Sequence, residues 1–216
     1  MNYRISEIFH SIQGEGIHVG YPAVFVRFAG CNMSCKFCDE EHKYGKAEEI
    51  STSDIVHRIE KVYRKGDMVI LTGGEPLLQI YGELLEALLG YSLFIETNGD
   101  VDTRRRMNVS LEYLGTVAQI TVSPKRRNVS PEILSRAECV KVLVDHEGAF
   151  GIDLDDLPFT NAYRVLQPIT PSCDGYMFEE VYKVHCHMAY RLSIKRQEKG
   201  ECWRVIPQTH VMMGLK

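Results

Sequence analysis

The sequence predicts an α/β fold on a mostly parallel sheet, either curved into a barrel or open. Two observations predict it. Short β-branched runs alternate with stretches of helical periodicity, the pattern of consecutive βαβ units. Several of those runs are almost wholly apolar, as strands covered on both faces must be. A third observation points to function: the unusual polar residues cluster where the runs end.

Taken in order, the strand candidates are Ala23 to Phe28, Met68 to Thr72, Leu93 to Thr97, Val117 to Val122, Cys139 to Val144 and Tyr163 to Leu166. Between the first two, Ile55, Val56, Ile59, Val62 and Tyr63 recur at helical spacing, with Ser53 as the expected cap. A second helix is expected after Pro76, burying Leu77, Leu78, Tyr81, Leu84, Leu85 and Leu88. Near the end, Val181 to Tyr190 reads as an amphipathic helix. The strand ends carry Gly30-Cys31, Thr72-Gly73-Gly74-Glu75-Pro76, Glu96-Thr97-Asn98-Gly99, Ser123-Pro124-Lys125 and Gln167-Pro168. In parallel α/β folds ligands bind outside the carboxyl ends of the strands, so these segments point to one shared site and to an enzyme.

The chain has 216 residues, without internal repeats or a dividing linker, so a single domain over 1–216 is expected. With 25 basic and 29 acidic side chains the net charge is −4, which argues against a general nucleic-acid binder. Arg104-Arg105-Arg106 reads as a solvated turn. Of Lys125-Arg126-Arg127, only Lys125 is a site candidate. No apolar run approaches the roughly 18 residues of a membrane span, and Met1 to Glu7 lack a signal-peptide core. A cytoplasmic location away from membranes is the expectation.

The seven cysteines are unevenly placed: Cys31, Cys35 and Cys38 fall on one loop, while Cys139, Cys173, Cys186 and Cys202 are scattered. Three readings compete for the triplet. Zinc needs a fourth ligand, for which His42 is close in sequence. A redox pair leaves one cysteine unexplained. A four-iron cluster held by three cysteines keeps one iron open. The three-and-two spacing, with Phe37 before the last cysteine, is the radical S-adenosylmethionine signature, and Gly73-Gly74-Glu75 about one βαβ unit later agrees with it. There, two glycines admit a ligand close to the backbone and Glu75 suits the ammonium of a methionine moiety. Cys173, Cys186, Cys202, His185 and His187 match no metal template; buried cysteines on a helix are the simpler account.

At the amino terminus Gln13, Gly14, Glu15 and Gly16 offer donors and acceptors suited to the edge of a purine- or pterin-like ring; alternatively they form a plain turn. Arg27, the one charge in an apolar strand leading into Cys31, has the guanidinium fork that pairs with a carboxylate.

The segments Ser11 to Gly16, Arg27 to Asn32, Cys35 to Asp39, Leu71 to Leu77, Glu96 to Gly99, Ser123 to Lys125 and Gln208 to His210 run in order over essentially the whole chain. Together they resemble the 7-carboxy-7-deazaguanine synthase family of radical S-adenosylmethionine enzymes. The resemblance implies a partial (β/α)6 TIM-like barrel with a short amino-terminal extension and a modified carboxyl-terminal region. It implies the rearrangement of 6-carboxy-5,6,7,8-tetrahydropterin to 7-carboxy-7-deazaguanine with loss of ammonia, on the route to queuosine and archaeosine. By matching positions, Cys31, Cys35 and Cys38 hold a 4Fe-4S cluster. Phe37, Asp39, Gly74, Glu75, Ser123, Lys125 and Gln167 bind S-adenosylmethionine. Ile12, Gln13, Gly14, Glu15, Arg27 and Thr72 bind the pterin. An electron donor such as flavodoxin or ferredoxin, and a homodimer, are implied as well. Where the family usually has threonine after Cys-Asp, this chain has Glu40; Mg2+, a hard cation that prefers anionic oxygen, is expected to take it from Glu40 or from the substrate carboxylate. Lys216 is given no role, although the family's terminal carboxylate can reach substrate. The competing readings are a glycyl-radical-activating enzyme, which has no need of Gln13, Glu15 and Arg27 set for a small ring, and a zinc-stabilised binding module.

Overall fold

The computed structural model describes residues 1–38, 47–157, 161–171 and 175–215. Its strands are β1 (Asn2–Ile12), β2 (Pro22–Phe28), β3 (Glu48–Ser51), β4 (Met68–Gly73), β5 (Ser92–Thr97), β6 (Gln119–Val122), β7 (Cys139–Val144), β8 (Tyr163–Pro168) and β9 (Trp203–Val205). All nine join one sheet in the order β3-β1-β2-β4-β5-β6-β7-β8-β9. From β2 through β4 to β9 every neighbouring pair is parallel, whereas β1 runs antiparallel to both β2 and β3. The six expected strands are β2, β4, β5, β6, β7 and β8. The amino terminus adds a strand the sequence reading did not assign, the long β1, in which Tyr3 and Ile5 alternate inward as a half-buried strand requires; Gln13 to Gly16 follow it outside any strand. The short edge strands β3 and β9 have no apolar run to announce them.

The helices are α1 (Thr52–Val62), α2 (Gly82–Ala87), α3 (Val101–Arg106), α4 (Leu111–Val117), α5 (Pro131–Leu134), α6 (Gly175–Glu198) and α7 (Thr209–Met212). The cap of α1 is Ser51, not Ser53. Ser51 Oγ accepts from the Asp54 amide and the Asp54 carboxylate accepts from the Ser51 amide, a reciprocal box that leaves Ser53 inside the first turn. The helix expected after Pro76 is broken: a single 3-10 turn spans Pro76–Leu78, and α2 starts only at Gly82. Leu77, Ile80, Leu84, Leu85 and Leu88 are buried all the same, while Leu78 and Tyr81 stay partly exposed. Arg104 to Arg106 close α3 rather than forming a turn, and Arg104 and Arg106 pair with Glu132 and Asp102. The expected helix at Val181 is part of the 24-residue α6. Cys186 on it is only partly buried and Cys202 is exposed; Cys173 lies outside the described residues.

Period-two alternation divides each central strand between two environments. Val24, Val26, Val69, Leu71, Leu93, Ile95, Val140 and Val142 pack into the main core with α1 and α2 residues such as Ile55, Ile59, Leu84 and Leu85. The opposite parity faces the hollow of the sheet. There Ala23, Phe25, Met68, Ile70 and Phe94 form a second apolar cluster, with Phe9 against it. One alternation further along the same strands stand Arg27, Thr72 and Glu96. The hollow is therefore apolar below and polar towards the carboxyl ends.

Candidate active site

An open pocket fills the polar end of the hollow. Arg27 of β2, Thr72 of β4, Glu96 of β5, Lys141 of β7 and Gln167 of β8 border it; so do Cys31, Cys35, Cys38, Gly74, Ser123 and Lys125 in the loops beyond. Gln13, Gly14 and Glu15 enter from the end of β1, and Gln208 and His210 from the carboxyl-terminal segment.

The cysteine loop is fixed by backbone contacts with the end of β4. The Gly74 amide donates to Phe28 O at 2.8 Å and the Glu75 amide to Gly30 O at 2.9 Å. Side chains at 73 and 74 would collide with those same carbonyls, and Gly73 has φ +106°, so the glycine pair is demanded by this approach of two chains. Asn32, next to Cys31, accepts from Asn98 Nδ2 at 2.9 Å and donates to Thr103 Oγ1 at 3.0 Å, tying the loop to the end of β5 and to α3. Phe37 packs edge-on against Phe150, with ring centres 4.2 Å apart.

None of the three cysteines is in a disulfide. Burial pushes the Cys31 thiol up, and the nearby Glu75 carboxyl and the other two thiols add to the shift, against a hydrogen bond from the Met33 amide. Thiols gathered in this way become thiolates when a cationic group is there to hold them. Among the described residues no three His, Cys, Asp or Glu side chains close on a single ion. Three cysteines bordering one pocket fit the corners of a cluster better than a lone zinc.

Across the pocket lies a hydrogen-bonded chamber. Gln13 Nε2 donates to Glu96 Oε1 at 3.0 Å, and Thr72 Oγ1 to Glu96 Oε2 at 3.0 Å. Gln13 Oε1 accepts the Glu15 amide at 3.1 Å. The Glu15 carboxylate is paired with Lys141 and accepts from Gln167 Nε2 at 2.9 Å and from Gln208 Nε2. Burial pushes this carboxyl up, but the Lys141 ammonium, with hydrogen bonds from Lys141 and Gln208, outweighs it and holds the group at about 2. Arg27 donates from Nη1 to Glu7 at 2.7 Å and lies over the Phe9 ring, so its guanidinium is set at the chamber wall. Lys125 Nζ donates to Ser123 Oγ at 2.5 Å.

Most expected site residues therefore meet in one pocket, with three qualifications. Ile12 ends β1 and does not border the pocket. Glu75 is fully buried behind the wall, where its carboxylate accepts from Leu77 N at 3.2 Å, Thr97 Oγ1 at 2.7 Å and Asn98 N at 2.8 Å. Its expected pairing with a ligand ammonium is not what this placement offers; the Gly73-Gly74 backbone faces the pocket instead. Asp39, Glu40, His42 and Lys216 lie outside the described residues. Arg126, not a site candidate, is half exposed and clamps Asp100 through two nitrogens at 2.7 and 2.8 Å. Lys141 was not anticipated. Its signal is the one that marked Arg27, a lone charge at an inward position of an apolar strand. Glu96, Gln208 and His210 stand in segments the sequence reading singled out, without a role assigned to them.

The Radical SAM superfamily model matches residues 25–144. The 7-carboxy-7-deazaguanine synthase of Bacteroides thetaiotaomicron is 35% identical over 218 residues, covering 100% of both chains. That of Aquifex aeolicus is 34% identical, over 98% of this chain and 94% of its own. The crystal structure of QueE from Escherichia coli superposes with a TM-score of 0.68 at 24% identity, over 96% of this chain and 94% of that one, and so supports the partial barrel fold.

Proposed function

Because the chain belongs to the 7-carboxy-7-deazaguanine synthase family within the radical SAM superfamily, we propose that it converts 6-carboxy-5,6,7,8-tetrahydropterin to 7-carboxy-7-deazaguanine with loss of ammonia, in 7-deazapurine biosynthesis. The observation that carries this reading is the placement of an ionised, largely enclosed Glu15 in the same pocket as three cysteine thiols. A carboxylate held charged is an acceptor for the N–H-rich edge of a pterin. The thiols opposite are the ligand set for a cluster.

In this reading Cys31, Cys35 and Cys38 hold the 4Fe-4S cluster. When bound, the cluster and S-adenosylmethionine supply a 5′-deoxyadenosyl radical, which is the cofactors' chemistry rather than the protein's. The protein's part is orientation. The backbone at Gly73-Gly74, with Phe37, Ser123 and Lys125, lines the side of the pocket assigned to S-adenosylmethionine; the resemblance assigns Asp39 and Gln167 to the same ligand, and Gln167 also donates to Glu15. Arg27, its plane set by Glu7 and Phe9, pairs with the pterin carboxylate, while Gln13, Gly14, Glu15 and Thr72 receive the ring. Glu40 supplies oxygen to Mg2+. A flavodoxin- or ferredoxin-type donor reduces the cluster, and the active form is a homodimer. Among the described residues no helix is long and apolar enough to cross a membrane.

The test is an anaerobic assay of cluster-reconstituted protein with the carboxytetrahydropterin, S-adenosylmethionine, reductant and Mg2+, read by mass spectrometry. The expected result is the deazaguanine acid in excess over enzyme, and none from Cys35→Ala. Accumulation of 5′-deoxyadenosine without that acid refutes the substrate and leaves the radical chemistry standing.

A further inference from the structure

Lys141 is buried, with 5% of its side chain exposed, on an inward position of β7 between Cys139 and Leu143. It meets the Glu15 carboxylate, which also receives Gln167 from β8 and Gln208 from the carboxyl-terminal segment. Three distant parts of the chain thus converge on one acceptor. The carboxyl-terminal segment is anchored at the same spot by further contacts. The Thr209 amide and hydroxyl both donate to Gly14 O, at 2.9 and 3.2 Å. The His210 ring occupies the space a side chain at Gly14 would need. Tyr182 Oη of α6 accepts from the Gln208 backbone amide at 3.3 Å, and Thr170 Oγ1 donates to Gln208 Oε1. Two polar atoms in this group, the Gln167 Oε1 acceptor and the His210 Nδ1 ring nitrogen packed against Gly14, are buried without a hydrogen-bond partner. The carboxylate that faces the pocket, with the Gln167 amide beside it, is the acceptor set a ligand N–H would meet.

We propose that Lys141 is the positioning residue of this recognition surface: it holds Glu15 as an ionised acceptor, and Glu15 in turn latches the carboxyl-terminal segment against Gly14 to complete the pterin pocket. The proposal rests on the substrate reading above and deepens it. A buried carboxylate without a cation takes up a proton, and a protonated Glu15 loses acceptor capacity both for Gln208 and for a ligand N–H. The other titratable groups facing Glu15 are His210 on the carboxyl-terminal segment and Tyr182 on α6; Cys139 lies beside Lys141, and Glu96 stands across the chamber through Gln13. Lys141 is the cation that dominates among them.

The test compares wild type, Lys141→Gln and Lys141→Arg as anaerobic, cluster-reconstituted proteins with S-adenosylmethionine bound. The probe is 6-carboxypterin, the oxidised and stable analogue, titrated calorimetrically from pH 5.5 to 7.5. Lys141→Gln is expected to bind at least tenfold more weakly at pH 7, with affinity rising as the pH rises. Wild type stays flat over that range, and Lys141→Arg recovers most of the affinity. In turnover, KM for the tetrahydropterin rises more than kcat falls. Equal affinity and a flat profile in a folded Lys141→Gln protein overturn the proposal, as does a loss confined to kcat. Should that variant not fold, the double variant Glu15→Gln/Lys141→Gln keeps both shapes without charge. If it binds as Glu15→Gln alone does, Lys141 acts through Glu15; a further tenfold loss means that Lys141 touches the ligand itself and sinks the proposal. Hydrogen exchange at Thr209 to Met212 without any pterin reads the latch alone: it should accelerate in Lys141→Gln, and unchanged protection refutes the latch. A wild type that fails to bind the pterin refutes the substrate reading instead.

Discussion

Glu15 faces the pocket and Glu75 lies fully buried behind its opposite wall, and desolvation pushes both toward the protonated form. For Glu15 the effect is reversed by Lys141 and the carboxyl is held at about 2. Glu75 is pushed up to about 7 by the same burial, because its partners are two backbone amides and a threonine hydroxyl, and the one nearby cation, Lys125, contributes least. Neutral donors, even three of them, do not offset desolvation as a contacting ammonium does. The difference separates two jobs that a buried carboxylate can have. Glu15 keeps its charge and faces the cavity, which suits recognition. Glu75 ties the Gly73-Gly74 turn to the end of β5, and through Asn98 to Asn32 beside Cys31, which is the work of a brace.

Breaking the brace is expected to produce the largest effect. Glu75→Leu leaves the Leu77 amide, the Thr97 hydroxyl and the Asn98 amide without their acceptor in a closed interior, a loss of about 3–4 kcal/mol. Urea denaturation of the cluster-free protein measures it, and iron content after reconstitution should fall alongside, because Asn32 loses its anchor. A loss under about 1 kcal/mol would show that those donors find other partners.

Next in size is a contrast in pH. Glu75 titrates in the folded state near 7, above its ordinary 4.5, so the fold holds that proton the more tightly. Its contribution is full below about 4.5 and is lost as the pH rises through 7. Glu15 behaves oppositely: its contribution is full above about 4.5 and is lost only as the pH falls through 2. The stability of wild type relative to Glu75→Gln should therefore drop by about 2–3 kcal/mol between pH 5 and pH 8. A gap that does not move with pH would place Glu75's value near that of a solvated carboxylate and dissolve the contrast. Smaller again is Glu15→Gln, which removes a charged acceptor and is expected to weaken 6-carboxypterin binding about 10–100-fold. Unchanged affinity in that variant would make Glu15 another brace.

How much of this was legible in the sequence follows the same division. The cysteine triplet, Gly73-Gly74 and Arg27 could be read because their signals are local: spacing on one loop, or a charge in one apolar strand. The parallel strands were legible for the same reason, from Phe25-Val26 to Val142-Leu143. Glu75 was misread because its neighbours in space, Thr97 and Asn98, lie more than twenty residues away, and a Gly-Gly-Glu run does not say which way its carboxylate turns. Lys141 carried the local signal and was passed over, because Cys139 to Val144 was read only as a buried strand. That Glu15 meets Gln208, 193 residues away, has no local signature. It follows from closing the chain's two ends onto one pocket.

A third carboxylate isolates burial as the cause. Glu48 pairs with Arg58 at 2.8 Å, and the hydrogen bond from Arg58 holds its carboxyl below the ordinary range, as Lys141 does for Glu15. The chemistry of the two pairs is alike, but 60% of the Glu48 side chain and 40% of Arg58 are exposed, whereas Glu15 and Lys141 show 13% and 5%. Water screens the outer pair and competes for both partners, so the shift there reports proximity rather than stability. Glu48→Gln should leave the thermal midpoint and 6-carboxypterin affinity unchanged at moderate salt. If it cost as much stability as Glu15→Gln, contact with a cation alone would account for both sites, and the distinction drawn between a charged recognition group and a surface pair would fall.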